Sequence, residues 1–267
     1  MNAKAIGVFD SGVGGLTVLK ALRLRLPFES TVYLGDTARV PYGTKSAEVV
    51  TRYSLANARF LMRQEIKLLV VACNTASARS LGALREQLPI PVLGVIEPGA
   101  TAAALVTRGR VGVIGTPGTI SSGAYQAALA RHRPDAVLLA RACPLFVPLA
   151  EEGWTEGEVV DLVARRYLRD FATFEADTLV LGCTHYPLLK QAIARAVGEQ
   201  VRLVDSAEAT AEAVEALLAA HGLAAPADAP VQHRCFVTDL PERFAEVGAR
   251  FLERPIERAE LVDIRPD

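Results

Sequence analysis

Short aliphatic and β-branched runs recur along the chain, separated by longer stretches with a helical pattern of apolar residues. The runs are 5–9, 31–34, 68–72, 92–95, 111–114, 136–140, 179–181 and 201–204. Their alternation with helical segments predicts α/β architecture, with parallel strands joined by crossover helices. Most of the runs are apolar throughout instead of alternating with polar residues, as expected of strands covered by helices on both faces. At 267 residues and 51% apolar content the chain is long enough to bury two modest cores without staples.

The pattern also repeats. Ile6-Gly-Val-Phe-Asp-Ser-Gly12 and Val111-Gly-Val-Ile-Gly-Thr-Pro-Gly118 are both strands running into small, polar turn residues. Leu69-Val-Val-Ala-Cys73-Asn-Thr75 and Leu179-Val-Leu-Gly-Cys183-Thr-His185 are both strands that end at a cysteine ahead of a helix. The spacing from Asp10 to Cys73 is close to that from Gly115 to Cys183. This predicts two similar parallel-sheet lobes related by a pseudo-two-fold, with a cleft between them. After Asp205 come a long Ala/Glu helix, an Ala/Pro-rich loop over 224–230, a strand at Cys235-Phe-Val237 and a helix from about Pro241. That tail is too short for a third core and is expected to pack on the first lobe. The expected lobes are 1–97 plus 208–267, and 98–207.

Composition narrows the function. With a formal net charge of −1 and scattered Lys and Arg, no basic stripe of the kind a nucleic-acid binder carries appears. No apolar run approaches the ~20 residues of a membrane span, and the N-terminus lacks the pattern of a secretory signal. The expectation is a cytoplasmic protein with a small-molecule ligand and no nucleic-acid or membrane partner. In a reducing compartment its four cysteines are expected to be free thiols.

Ligands of open α/β sheets bind beyond the carboxyl ends of the strands, where Cys73 and Cys183 both fall. Each precedes a predicted helix, with Asn74-Thr75 ahead of 76–87 and Thr184 ahead of 187–197. A helix N-terminus can lower a thiol's pKa and can hold a carboxylate. One such cysteine reads equally well as a small core residue. Two at matching strand ends suggest a pair of sulfurs on opposite faces of one ligand, the arrangement needed to invert a C–H stereocentre. Zinc fits poorly, because Cys183-Thr-His185 lacks the usual ligand spacing and Cys73 has no nearby second ligand, so no metal is expected. The Gly12/Gly14 turn lacks the third glycine of a dinucleotide fingerprint, since position 17 is Thr17. Lys45 follows Thr44, so it does not complete a phosphate loop. Asp10 and Ser11 are expected to line the cleft.

Together, Asp10-Ser-Gly-Val-Gly-Gly-Leu-Thr17, Pro41-Tyr-Gly-Thr-Lys45, Cys73-Asn-Thr-Ala76 and Gly182-Cys-Thr-His-Tyr-Pro187 resemble the glutamate racemase family, nearly end to end. The resemblance implies cofactor-independent interconversion of L- and D-glutamate, supplying D-glutamate for peptidoglycan. It implies that Cys73 takes the α-proton from D-glutamate and Cys183 from L-glutamate. Asp10 would assist at Cys73 and His185 at Cys183, with Glu151 as an auxiliary carboxylate beside Glu152. Substrate contacts carry over to Asp10, Ser11, Tyr42, Gly43, Asn74, Thr75, Thr184 and His185. A homo-oligomer, taken as a dimer, is implied as well. Some relatives have an N-terminal extension and depend on a cell-wall precursor as activator, a regulation not expected of a chain starting so close to its first strand.

Two other readings follow from the residues alone. One is a related two-cysteine racemase or isomerase for aspartate, a hydantoin or a maleate-like diacid; the other is a two-lobed amino-acid-binding module without catalysis. Cys143 and Cys235 are expected to be packing residues, and His132, His221 and His233 surface residues. Thr116 and Thr119 mirror Ser11 in the second lobe. Trp154 adjoins Glu151 and Glu152, where it could report cleft closure.

Overall fold

The computed structural model describes residues 2–265; positions 1, 266 and 267, at the ends of the expected first lobe, lie outside it. The chain runs β1 (Ala5–Asp10), α1 (Leu16–Arg25), β2 (Thr31–Gly35), α2 (Ala47–Met62), β3 (Ile66–Val71), α3 (Asn74–Gln87), β4 (Val92–Gly94) and α4 (Ile96–Val106). It continues through β5 (Arg110–Gly115), α5 (Pro117–Ile120), α6 (Ala124–His132), β6 (Val137–Ala142), α7 (Phe146–Glu151), α8 (Glu158–Thr173), β7 (Thr178–Gly182), α9 (Lys190–Val197) and β8 (Arg202–Asp205). Last come α10 (Ser206–Ala220), β9 (His233–Val237), α11 (Pro241–Leu252) and β10 (Glu260–Leu261).

All strand pairings are parallel. One sheet has the order β10-β9-β2-β1-β3-β4 and the other β6-β5-β7-β8. The sequence repeat thus has a topological counterpart, because β2-β1-β3-β4 and β6-β5-β7-β8 are the same arrangement used twice. In each, the strand before the cysteine lies beside the strand before the polar turn: Phe9 pairs with Val71, and Gly115 with Gly182. The first sheet is extended by β9, whose residues 233–237 pair with 31–35 of β2.

The uniformly apolar strands are buried as the pattern predicts. Every residue of β2, β3 and β7 is buried. One core cluster joins the two sheets, running from Ile6, Val8 and Leu16 to Leu181, Tyr186, Val214 and Phe251. Separate clusters back the first sheet, around Phe9 and Val71, and the second, around Val113 and Val180. Burying each such side chain contributes about 1.5–3 kcal/mol. Helix α10 packs against both α1 and α4, so the elements linking the sheets also brace them. Asp177 organises the start of β5, accepting from the backbone N–H groups of Arg108 and Arg110 and from the hydroxyls of Thr107 and Thr178. At the far end of the first sheet, the buried Lys67–Glu29 pair (2.6 Å) receives further hydrogen-bonding groups, the carbonyl of Asn2 and the N–H of Ala225. Among the described residues no helix is long and apolar enough to cross a membrane.

Three local differences from the sequence reading bear on the site. Helix α3 starts at Asn74 with Cys73 itself in the capping position, so the Asn74 amide is free for other partners. The segment after Cys183 opens as a 3-10 turn over Tyr186–Leu189 and becomes α-helical only at Lys190. Pro187 and a junction at Leu189 separate the two pieces. The two-residue strand β10 carried no periodic signal and exists by pairing with β9.

Candidate active site

Four strand ends build the site. β1 delivers Asp10 and the turn beginning at Ser11, β3 leads to Cys73, β5 to Thr116, and β7 to Cys183, Thr184 and His185. The Ser11–Gly12 turn is pinned from below by the buried Tyr33, whose hydroxyl donates to the Gly12 carbonyl at 2.8 Å. The Gly12 N–H donates back to Asp10 Oδ1 at 2.9 Å.

Contacts between residues of the two repeats are close. The Thr184 hydroxyl donates to Asp10 Oδ2 at 3.4 Å, and Thr17 donates to the Thr184 carbonyl at 3.1 Å. Thr75 Oγ1 lies 2.8 Å from Thr116 Oγ1 and 3.1 Å from Thr119 Oγ1. Tyr125 donates to Asn74 Oδ1 at 2.7 Å. Gly14 faces Thr184 and His185 so closely that a Cβ there would fall 2.3 Å from Thr184 Oγ1. At Gly43 a Cβ would fall 2.6 Å from Thr116. No residue larger than glycine fits either position unless the cleft opens.

The two cysteines have unlike surroundings. Cys73 is 6% exposed, with its sulfur 3.7 Å from Ser11 Oγ. Burial pushes its thiol up to about 12, and the nearby Asp10 adds to this, outweighing the Ala76 N–H and Ser11 hydroxyl that favour the thiolate. The expected lowering by the helix N-terminus is therefore present as a hydrogen bond, but desolvation is larger. A negative charge at Cys183 would raise Cys73 further.

Cys183 is 5% exposed and has an imidazole beside it, His185 Nδ1 at 3.7 Å. His185 Nε2 is 2.9 Å from Glu151 Oε1. Burial works against a charged imidazole, but hydrogen bonds and charge from Cys183 and Glu151 prevail and bring His185 up to about 10. Asp10, fully buried, is raised above the ordinary carboxyl range by desolvation, against the opposing influence of His185 and the Gly12 N–H. The carboxylic acid on one side and the imidazole on the other are thus both biased towards their protonated forms.

The site residues expected from sequence fall into three groups. Cys73, Ser11 and Asp10 are gathered on one side, with Cys183, Thr184, His185 and Glu151 on the other, and Asn74 and Thr75 lie in direct contact with the second repeat. Tyr42 is different, because its phenol is buried and donates to Asp36 while accepting from Asn57. What Tyr42-Gly43 offers the cleft is backbone. Thr116 and Thr119 make the hydroxyl ladder with Thr75, and Tyr125 and Asp36 were not foreseen. No short-range signal marks these two, since Tyr125 reads as an ordinary helix residue and Asp36 as a turn.

Two cavities adjoin these elements. One of about 140 Å³, lined by Gly12, Val13, Glu151, Arg243 and Phe244, opens beside the Glu151 carboxylate. Another of about 800 Å³, with Lys20, Lys190 and Asp205 on its walls, includes none of the paired-thiol residues. All four cysteines are unpaired and buried. Among the described residues no group of three or more His, Cys, Asp or Glu is placed to hold a metal ion. His132, expected at the surface, has its Nε2 2.6 Å from Glu97 Oε1.

The model of the Asp/Glu/hydantoin racemase family matches residues 16–214. The chain belongs to this family. It is 62% identical to a glutamate racemase of Geobacter metallireducens over 94% of both chains. It is 51% identical to one of Syntrophus aciditrophicus, covering 97% of this chain and 96% of the relative. Among solved structures of the family, a glutamate racemase isoform of Bacillus anthracis superposes with a TM-score of 0.94 at 41% identity, covering 98% of each chain. The Francisella tularensis glutamate racemase in complex with D-glutamate gives a TM-score of 0.92 at 39% identity, again over 98% of each chain.

Proposed function

We propose that this racemase interconverts L- and D-glutamate by moving the α-proton between two thiols, and that the D-glutamate formed supplies peptidoglycan. The observation that carries this reading is the pairing of Cys73 and Cys183 at equivalent strand ends of the repeated sheets, whose surroundings meet in the Asp10–Thr184 contact. The glutamate racemases to which the chain is similar over nearly its whole length support the same substrate.

In the proposed reaction Cys183 thiolate removes the α-proton of L-glutamate, and the thiol of Cys73 delivers a proton to the opposite face. Starting from D-glutamate the roles exchange. The imidazolium of His185, held by Glu151, stabilises the Cys183 thiolate, and Asp10 shares the proton inventory between the two sides. Ser11, Asn74, Thr75, Thr184 and the backbone of Tyr42 and Gly43 hold the substrate carboxylates, with Asp10 as partner for the ammonium. A dry cleft with preorganised donors lowers the cost of charge on the α-carbon. The cleft lies between two lobes, 1–97 plus 208–267 and 98–207. Dimer formation and a cytoplasmic setting, both implied by the resemblance, complete the reading.

Circular dichroism with a panel of L- and D-amino acids in deuterated solvent tests it. Both glutamate enantiomers should racemise with incorporation of solvent deuterium at the α-carbon. Turnover of aspartate without glutamate overturns the substrate assignment, and binding without deuterium exchange overturns the catalysis.

A further inference from the structure

Tyr125 connects the surroundings of the two cysteines. Its ring lies against Gly182, the residue before Cys183, where an added Cβ would come within 3.0 Å of the ring edge. Its hydroxyl reaches Asn74, the residue after Cys73, and donates to Oδ1 at 2.7 Å. The ring is 2% exposed, on α6 of the second sheet's segment, whereas Asn74 begins α3.

The consequence falls on the amide. With Oδ1 occupied by Tyr125, the Asn74 amide must present its NH₂ group on the other side. That nitrogen is buried and has no hydrogen-bond partner. The side chain as a whole is 3% exposed. A buried donor without an acceptor costs free energy, and one lying beside Cys73 and Thr75 at the cleft is where a substrate carboxylate oxygen would satisfy it.

We propose that Tyr125 is a positioning residue that locks the Asn74 amide with its NH₂ towards the substrate, a relay from phenol to amide. The assignment rests on the proposed glutamate chemistry and adds to it a group that does not touch substrate. Without the phenol proton, the amide rotates freely and for part of the time turns its oxygen towards an anion.

Tyr125→Phe removes the hydroxyl and keeps the ring against Gly182. The loss of one oriented donor to a charged acceptor should raise KM for both D- and L-glutamate about tenfold, with kcat within about threefold of wild type. A double-mutant cycle with Asn74→Ala separates positioning from packing, because once the amide is gone Tyr125→Phe should change KM by less than about twofold. An unchanged KM in Tyr125→Phe, or the same factor lost in the Asn74→Ala background, overturns the relay. Asn74→Asp, which keeps an acceptor for the phenol, carries the test if Tyr125→Phe does not fold: an oxygen then replaces the NH₂ facing the substrate, so KM should rise at least about threefold more than in Asn74→Ala, and an equal or smaller rise overturns the relay as well. Wild-type turnover is measured first in the same assay. An inactive wild type refutes the glutamate reading and the relay with it, whereas an active wild type beside an unaffected Tyr125→Phe refutes only the tyrosine's role.

Discussion

The surroundings of Cys73 and Cys183 are built on the same strand arrangement and yet differ in chemistry. Cys73 has a serine hydroxyl within 3.7 Å and is kept protonated by burial and by Asp10. Cys183 has an imidazole at the same distance, and that imidazole is held charged by a carboxylate. Opposed proton transfer therefore does not require matched groups. It requires one proton fewer than two thiols can carry, with surroundings that decide where the vacancy rests. L- and D-glutamate have equal free energies, so kcat/KM must be equal in the two directions. The inequality between the two sides is divided between kcat and KM instead.

The largest test removes either sulfur's chemistry. Cys73→Ser or Cys183→Ser should lower racemisation at least about 10³-fold while glutamate still binds, because a hydroxyl retains the volume but not the accessible anion. Isothermal titration with D-glutamate beside a circular-dichroism assay measures both, and substantial turnover in either variant refutes paired-thiol transfer. A smaller change sharpens the contrast between the sides. Glu151→Gln removes a charge that raises His185, so the imidazole's pKa falls from about 10 and the alkaline limb of the pH–rate profile moves to lower pH. Activity at pH 8 should drop about tenfold. A profile that keeps its alkaline limb shows that the carboxylate does not hold the imidazolium.

The smallest expected effect is on stability. A histidine raised to about 10 in the folded protein binds its proton more tightly there than in the unfolded chain. Its contribution is fully present below about pH 6.5 and is lost as pH rises towards 10. Cys73, Cys143 and Cys235, all raised by burial, add losses of the same sign from about pH 8 upward, where the unfolded thiols begin to ionise and the buried ones do not. The interval from about pH 6.5 to 8, below the thiols' range, isolates the histidine. Thermal unfolding midpoints should fall across it in wild type and more shallowly in His185→Asn, whereas parallel slopes would assign the dependence elsewhere.

The sequence made visible what depends on short stretches. Runs such as 68–72 and 179–181 are apolar at every position, and that marks strands covered on both faces before any coordinate is known. The recurrence of a cysteine after two of them marked the candidate pair. Much of the remainder depends on contacts between distant residues. Nothing near Tyr125 in the chain indicates that it meets Asn74, 51 positions away. Nothing near Asp36 shows that it takes up the Tyr42 hydroxyl and so leaves only backbone from that segment for the cleft. The expected lowering of the Cys73 thiol failed for a related reason. Helix starts are legible, but desolvation depends on everything packed around the sulfur.

The order β9-β2-β1 places residues 233–237 against residues 31–35 in one sheet. On the ribosome the second sheet can be completed as soon as β8 has emerged, whereas β2 waits with an unpaired edge until β9 follows, near the end of synthesis. An open edge strand whose every residue is buried in the finished fold is a surface on which nascent chains mispair. Chaperone dependence in the cell should therefore track translation delays anywhere between β2 and β9, and not delays before β2.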